Sequence, residues 1–181
     1  MKRWFLAAAL LAAPAFAAEL EGVTSADSLT VEGKALSLNG MGLRQKFIFK
    51  VYVASLYVEH PAKDTATILK ADEVRRVEMH MLRDLDRNTI VDAIKTGFEK
   101  NAGAGLPALQ ERLSKFIEKV TEVKKGATLI IQYVPGKGTK IEGGKESYVA
   151  EGKDFADALF SVWIGQYPVD DGLKKGMLGN K

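Results

Sequence analysis

One segment of the chain, residues 47–58, constrains the fold more than any other. It is rich in β-branched and aromatic residues, which favour β-strands. Both alternating sets of its side chains are mostly apolar, whereas a strand with one face in water alternates apolar with polar residues. The segment is therefore predicted to be a central strand in a sheet that is covered on both faces.

Hydrophobic periodicity predicts the other strands and the turns between them. The segment Leu29–Leu38 alternates weakly and is predicted to be a strand or a hairpin bent at Gly33, and Asn39–Gly42 is predicted to be a turn because glycine permits positive φ. Residues 135–147, rich in Gly and Lys, are predicted to form hairpin turns. Further strands are predicted over Val74–Leu82, Ala127–Val134 and Tyr148–Glu151.

Apolar residues at spacings of three and four predict three helices and a short terminal helical turn. The predicted segments carry the apolar stripes Ile90–Phe98, Leu106–Val120, Phe155–Trp163 and Leu173–Leu178. Asp86 or Asn88 is expected to cap the first of these helices, and Asp154 the third. Strands, two helices, strands and a helix, in that order, predict an α+β domain with helices on one face of a mostly antiparallel sheet.

The first 17 residues have the pattern of a secretory signal peptide. Lys2 and Arg3 precede an apolar run, Pro14 breaks it, and Ala15–Ala17 places small residues where a signal peptidase reads them. The run is about half as long as a membrane-spanning helix requires. We predict cleavage after Ala17, a periplasmic or secreted protein without a transmembrane span, and a single domain over residues 18–181.

Composition excludes several classes of function. The chain has no cysteine, which rules out disulfides, thiolate metal sites and cysteine nucleophiles. Its formal net charge of +3 includes Lys2 and Arg3, so the predicted mature chain is close to neutral. No stripe of basic and aromatic residues is present, and no nucleic-acid partner is predicted.

The remaining polar motifs carry little specific chemistry. His60 and His80, the two histidines, lack ligand spacing, so neither a metal site nor a cofactor is predicted. Gly136–Gly138 lacks the spacing of a P-loop. The charged stretch Arg83–Arg87 is read as an exposed connection between a strand and a helix, or as part of a cleft mouth.

The cluster Gly40–Arg44, followed by Tyr52, is the stronger candidate for a site. An arginine beside glycines and before an apolar strand can turn its planar donors toward a carboxylate or an enolate oxygen in a cavity. A buried tyrosine hydroxyl needs a hydrogen-bond partner. The alternative is a surface arginine and a core tyrosine that bonds to the backbone.

In these residues the chain resembles the chalcone isomerase-like family, and in particular its exported bacterial branch. One matching block is Leu38–Arg44 running into Lys50–Val58, and the other is Phe155–Gly165 followed by Leu178–Gly179. The resemblance implies an open-faced β-sandwich, in which a large curved antiparallel sheet carries a helical layer on one face. It also implies an apolar cleft between sheet and helices.

The resemblance assigns roles to two residues. Arg44 matches the arginine that guides cyclisation of chalcones in the plant enzymes, and Tyr52 falls on the position of a catalytic threonine. Fatty-acid-binding members of the family carry a tyrosine there, which holds the lipid carboxylate together with the arginine. The catalytic tyrosine of the enzymes is expected near Arg87 or Asn88, where this chain has none.

These departures favour a non-catalytic protein that binds a small apolar molecule with an acidic head group through Arg44 and Tyr52. Two alternatives remain open at this stage. One is an isomerase, an intramolecular lyase acting on a chalcone-like or other enone substrate, for which Arg44 would be the catalytic residue. The other is an interaction or assembly protein whose cleft is filled by its own side chains.

Overall fold

The computed structural model describes residues 17–142 and 148–180. Nine strands are described: β1 Ala17–Leu20, β2 Val23–Ala26, β3 Ser28–Val31, β4 Lys34–Lys46, β5 Phe49–Val58, β6 Arg75–Met81, β7 Thr128–Val134, β8 Gly138–Glu142 and β9 Val149–Ala150. The helices are α1 Thr65–Lys70, α2 Arg87–Asn101, α3 Leu106–Glu118, α4 Lys153–Ile164 and α5 Asp171–Met177, with a 3₁₀ turn over Gly103–Gly105. The predicted signal peptide lies outside the described residues except for Ala17, and its cleavage stays a prediction.

Strands β3 to β9 form one antiparallel sheet in which neighbours in sequence are neighbours in space. Strand β5 lies third in this order, and all its residues from Val51 to Val58 are buried. On one face, Leu56 and Val77 belong to the main core beneath the helices. The predicted central strand and the α+β architecture are thereby confirmed, with the strand starting at Phe49 rather than Phe47.

The opposite face of β5 is covered by the small β1–β2 hairpin. The hydroxyls of Ser25 and Ser55 lie 2.7 Å apart, and the Tyr57 hydroxyl donates a 3.0 Å hydrogen bond to the carbonyl oxygen of Ala26. A second apolar cluster containing Tyr57 and Leu36 packs on this side. The sheet is therefore covered at β5 from both sides, as the apolar character of both strand faces requires.

The predicted turn at Asn39–Gly42 is wrong, because these residues lie inside the long strand β4. Neither Gly40 nor Gly42 has a positive φ. A Cβ atom at Gly40 would overlap the carbonyl oxygen of Gly176, and one at Gly42 would overlap that of Leu173. The glycines are needed for the close approach of α5 to β4.

Three local predictions also need correction. Residues 135–147 contain strand β8 in addition to the turn after β7, and residues 143–147 lie outside the described part. Helix α4 begins at Lys153 after Gly152, whose φ is +91°, without a side-chain cap. Asp154 instead lies in its first turn and pairs with Arg112 at 2.6 Å.

Helix α1 was not predicted from the sequence. The predicted cap of α2 by Asp86 is confirmed.

A buried cation fixes the direction of α4 against the sheet. Arg75 of β6 is almost fully buried, between the rings of Tyr133 and Phe160, with its guanidinium carbon 5.0 and 4.9 Å from their centroids. It donates to Asp157 of α4, which also accepts a 2.6 Å hydrogen bond from Lys153. Pairing and hydrogen bonding offset the cost of burying this charge.

Within the described residues, no helix is both long enough and apolar enough to cross a membrane.

Because α5 lies so close to β4, a single methyl group added at Gly42 should markedly lower the free energy of unfolding. Gly42→Ala places a Cβ against the backbone of Leu173, which cannot yield as a side chain tip does. We expect it to lower the free energy of unfolding by about 2 kcal/mol or more, measured by urea denaturation. Gly105→Ala, in open space and with φ −77°, is the matched control and should change stability little. Equal stabilities of the two variants would contradict the close-approach account.

Candidate functional site

A cavity of about 350 Å³ lies between the sheet and the helices α2 and α4. Its floor comes from β5, β6 and β7, with Val51, Met79, Met81, Leu129 and Ile131. Its roof comes from the two helices, with Ile90, Ala93, Ile94, Val162 and Trp163. Ligand pockets in proteins typically span about 300–1,000 Å³ and have mostly apolar walls. This cavity therefore has the size and lining for one small apolar molecule.

Strand β4 places Arg44 at the edge of this cavity. Arg44 lies directly opposite Tyr52 in the register of β4 and β5, so the two side chains leave the same face of the sheet. One guanidinium nitrogen, Nη1, donates a 2.7 Å hydrogen bond to the carbonyl oxygen of Val169. A guanidinium has five N–H donors, and the described residues offer the others neither a further acceptor nor a carboxylate. A positive charge with free donors thus borders an apolar space.

An acidic residue beside Arg44 is already engaged elsewhere. Asp170 caps α5 by accepting a 2.8 Å hydrogen bond from the backbone N–H of Leu173, and its other oxygen accepts one of 3.2 Å from the N–H of Gln45. One carboxylate oxygen therefore caps α5, and the other holds the segment after α4 against β4. This segment contains Val169, so the same contacts position the carbonyl group that orients Arg44.

Tyr52 places a neutral hydroxyl in the cavity wall. The side chain is buried, and Trp163 Nε1 donates a 3.0 Å hydrogen bond to the Tyr52 hydroxyl oxygen. Burial raises the pKa of Tyr52 to about 12, although the charge of Arg44 acts in the opposite direction. Because the indole N–H is only a donor, the phenol accepts in this bond and keeps its own proton. Among the described residues that proton has no acceptor, so it is available to an oxygen atom in the cavity.

The mouth of the cavity carries charge of both signs. Lys46 and Arg83 line it together with Asp84 and Asp86. Asp86 is occupied as the cap of α2, and Asp84 accepts a 2.8 Å hydrogen bond from the backbone N–H of Lys125. Hydrogen bonds from the hydroxyl and the backbone N–H of Thr89 lower the pKa of the Asp86 carboxyl, and the bond from Lys125 lowers that of Asp84. Both acids are thus held by the local fold, and Asp84 also lies 3.7 Å from Lys124, whereas Lys46 and Arg83 form no ion pair among the described residues.

A second groove, of about 330 Å³, adjoins the cavity on the far side of Arg44. The two spaces share Arg44, Lys46, Thr89, Ala93 and Val169, and the groove continues to Lys100 and Tyr167. Arg44 thus stands between an apolar cavity and a more polar groove that opens outward. This arrangement suits a molecule whose body is apolar and whose head group stays partly hydrated.

The remaining sequence candidates lie away from this site. His60 is exposed and pairs with Glu73 at 2.9 Å, which raises its pKa, and His80 lies 3.3 Å from the Thr128 hydroxyl. The described residues contain no group of side chains suited to hold a metal ion. Gly136 lies in the turn between β7 and β8, and Gly138 is the first residue of β8.

The charged stretch after β6 divides between two roles. Arg83, Asp84 and Asp86 line the cavity mouth, which is the second of the two interpretations of the sequence. Arg87 points elsewhere and donates to the carbonyl oxygens of Val120 at 3.0 Å and Ile117 at 2.9 Å. Lys46 and Trp163 were not predicted as site residues. The need of a buried indole N–H for an acceptor was the available signal for Trp163.

The family model described as chalcone isomerase-like matches residues 17–179, nearly the whole chain. The chain belongs to the chalcone isomerase-like family. The open-faced sandwich that the sequence resemblance implied is therefore the fold of this protein, with a seven-stranded antiparallel sheet and its helical layer.

A solved structure supports the same fold. A crystal structure of a fatty-acid binding protein from Arabidopsis thaliana matches with a TM-score of 0.68 at 15% sequence identity. The match covers 90% of this chalcone isomerase-like chain and 96% of the plant chain. No curated protein matches the sequence. At this identity the likeness establishes the fold and leaves the function to be argued from the site.

The raised pKa of Tyr52 predicts a loss of stability at alkaline pH. In the folded chain the phenol stays protonated up to about pH 12, whereas in the unfolded chain it ionises near pH 10. Between these values the unfolded state has lost a proton that the folded state keeps, so the free energy of unfolding falls as pH rises. Tyr52→Phe should remove this contribution, measured as a shallower fall in urea-unfolding free energy between about pH 9 and pH 11.

The control is Tyr167→Phe, since Tyr167 is 53% exposed. Tyr57 and Tyr133, whose pKa values are also raised by burial, contribute equally to the parent and to both variants. Tyr167→Phe should keep the parent slope. The same slope in Tyr52→Phe would show that the phenol is not held neutral by burial.

Proposed function

We propose that this protein binds a small apolar molecule with an acidic head group, of the fatty-acid type, in the cavity between sheet and helices. The observation that carries the proposal is the pairing of Arg44 and Tyr52 at the edge of an apolar space. One brings a positive charge with free donors, and the other brings a neutral hydroxyl with a free proton. Together they suit the two oxygens of a carboxylate.

The apolar walls supply most of the affinity. Burying about ten methylene groups contributes on the order of 8 kcal/mol before ordering costs. Arg44 and Tyr52 contribute less energy and fix the orientation, because a carboxylate inside the apolar floor would lose its hydration without a partner. The head group therefore faces Arg44 and the chain extends toward Leu129 and Ile131.

The structural neighbour supports the same type of ligand. The matched Arabidopsis thaliana protein is described as a fatty-acid binding protein. Arg44 and Tyr52 also match the residues that the sequence resemblance associates with carboxylate binding in this family. The proposal therefore combines the geometry of this cavity with the chemistry of a protein of the same fold.

Two alternatives fit the cavity less well. Chalcone cyclisation requires a hydrogen-bond donor at the ketone, yet the family's tyrosine position falls near Arg87, whose side chain is committed to backbone carbonyls. A purely structural role with a closed cleft fits poorly with the cavity beside Tyr52. The structural alternative also leaves the free donors of Arg44 without a role.

We further propose that the protein acts outside the cytoplasm, on the basis of the signal-peptide pattern in residues 1–17. Intact-mass measurement of the protein purified from its own cells tests this. A mature chain beginning at Ala18 is expected. A chain that retains Lys2 and Arg3 would contradict export by this route.

Removal of the Arg44 charge should abolish most ligand binding. With a fatty acid such as palmitate as probe, Arg44→Ala is expected to raise Kd roughly 100-fold, because it leaves the carboxylate without its charged partner. Tyr52→Phe removes one hydrogen bond to a charged group and should raise Kd roughly tenfold. Isothermal titration measures Kd, and native mass spectrometry measures co-purifying ligand.

Two comparisons separate the effect of the Arg44 charge from the effect of the cavity volume. Lys95→Ala removes an exposed cation of α2 that does not line the cavity and should leave Kd unchanged. Ala93→Trp fills the cavity from α2 without altering charge and should prevent binding, whereas Ala108→Trp on the exposed side of α3 should not. Unchanged binding in Arg44→Ala and Ala93→Trp would place the ligand elsewhere and overturn the proposal.

A further inference from the structure

The turn between β4 and β5 exposes three large apolar side chains in succession. Phe47 is 86% exposed, Ile48 82% and Phe49 52%. We refer to Phe47–Phe49 as the aromatic tip. Scattered apolar residues are ordinary on protein surfaces, whereas a contiguous exposed apolar patch marks a contact surface.

The aromatic tip departs from the other turns of this chain. The β1–β2 hairpin turns at Glu21 and Gly22, and the β3–β4 hairpin turns at Glu32 and Gly33, all four with positive φ. Polar residues and glycine are the usual choice for two-residue turns. At the corresponding position the tip has Phe47, whose φ of +55° matches that of Glu21 and Glu32 but whose side chain is large and apolar. Turn formation alone does not explain this choice.

Three cations lie beside the aromatic tip. Lys46 and Lys50 flank it in sequence, and the Arg83 guanidinium carbon lies 4.7 Å from the centroid of the Phe49 ring. Lys50 pairs with Glu21 at 2.5 Å. Among the described residues, no carboxylate forms an ion pair with Lys46 or Arg83. An apolar tip with unpaired cations beside it is complementary to an apolar layer covered by anionic groups.

The aromatic tip is continuous with the cavity mouth. Phe47 and Phe49 line the mouth together with Lys46, Arg83 and the backbone-bonded acids Asp84 and Asp86, whereas Ile48 projects without lining it. We propose that the aromatic tip inserts into the interface of an anionic lipid bilayer, with the cavity mouth turned toward the membrane. The docking of the aromatic tip to a bilayer does not depend on what the cavity holds. The purpose of the docking, which is exchange of an apolar ligand with the membrane, rests on the proposed function.

A second copy of the chain is a poorer occupant for the same surface. Stable protein interfaces bury about 800 Å² on each partner. The two turn residues and Phe49, the first residue of β5, present only a few hundred Å². The cations beside them would repel those of a second copy. A bilayer needs no matching partner surface, and it receives the tip and the charges at once.

Vesicle binding tests the proposal. The purified protein and its Ile48→Asp variant, with the same N-terminus so that residues 1–17 contribute equally, are sedimented with vesicles of phosphatidylcholine alone or mixed with phosphatidylglycerol. The parent should bind the mixed vesicles, more weakly at high salt. Ile48→Asp should reduce the partition coefficient at least about tenfold, because it places a charge in the apolar layer. Val149→Asp, at a 44% exposed apolar position on β9, should bind like the parent.

A second variant, Ile48→Trp, tests the proposal even if Ile48→Asp loses its fold. Ile48→Trp should bind mixed vesicles at least as well as the parent, and its tryptophan emission should shift to the blue on binding. Absence of parent binding, equal binding by Ile48→Asp, or equal losses in Ile48→Asp and Val149→Asp would overturn the proposal. A concentration-dependent dimer that Ile48→Asp dissociates, without vesicle binding, would assign the tip to a second copy and also overturn it.

The ligand assay separates this inference from the proposed function. Ile48 does not line the cavity, so Ile48→Asp should keep the parent Kd for palmitate while losing vesicle binding. Vesicle binding by a parent that binds no fatty acid would leave the docking surface standing and remove the proposed function. Palmitate binding without vesicle binding would do the reverse.

Discussion

The arrangement of the site depends on how closely α5 approaches β4. Gly40 and Gly42 lack the side chains that would hold the two backbones apart, and Gly176 of α5 comes against Met41 in the same way. The segment that leads into α5 is drawn along with it. Its Val169 carbonyl oxygen then accepts from Arg44, and Asp170 bonds to the strand instead of pairing with the arginine. The free positive charge at the cavity edge is a consequence of backbone packing.

The protonation state of Tyr52 completes this arrangement. An ionised phenolate beside Arg44 would neutralise the guanidinium and leave little attraction for an anion. A tyrosine phenol is already neutral at neutral pH, and burial raises the pKa of Tyr52 to about 12, which extends the neutral form into alkaline solution. Trp163 fixes the hydroxyl oxygen, and the hydroxyl proton stays free. Two adjacent groups therefore both donate, which suits an acceptor such as a carboxylate and does not suit a cationic ligand.

The sequence predicted the parts of the fold that local pattern determines. Strand β5 was recognisable because both of its faces are apolar, and α2 and α3 because their apolar residues recur at helical spacing. Gly40 and Gly42 were misread, since a glycine that permits a turn and one that permits close packing look alike without the packing partner. Strand β8 was missed because Gly138 and Lys140 carry no strand signal, and its pairing with β7 supplies what propensity does not.

The candidate site was only partly visible in the sequence. Arg44 and Tyr52 were selected from their neighbours and from the family resemblance, and the structure places them side by side at the cavity edge. Trp163 lies 111 residues from Tyr52 in the chain, so no local pattern connects them. The sequence also could not show that Arg44 has free donors, because this depends on which groups the Asp170 oxygens bind. The apolar lining reflects helix and sheet patterning, whereas the polar pairings depend on tertiary structure.

A crystal structure with a fatty acid brominated at its terminal carbon tests the central claim most directly. Anomalous scattering locates the bromine, and the electron density locates the carboxylate. The account predicts carboxylate oxygens within hydrogen-bond distance of Arg44 and of the Tyr52 hydroxyl. It predicts the bromine near Leu129 and Ile131 on β7, three strands away from β4, or roughly 14 Å. A bromine beside Arg44, or a ligand bound outside the cavity, would contradict it.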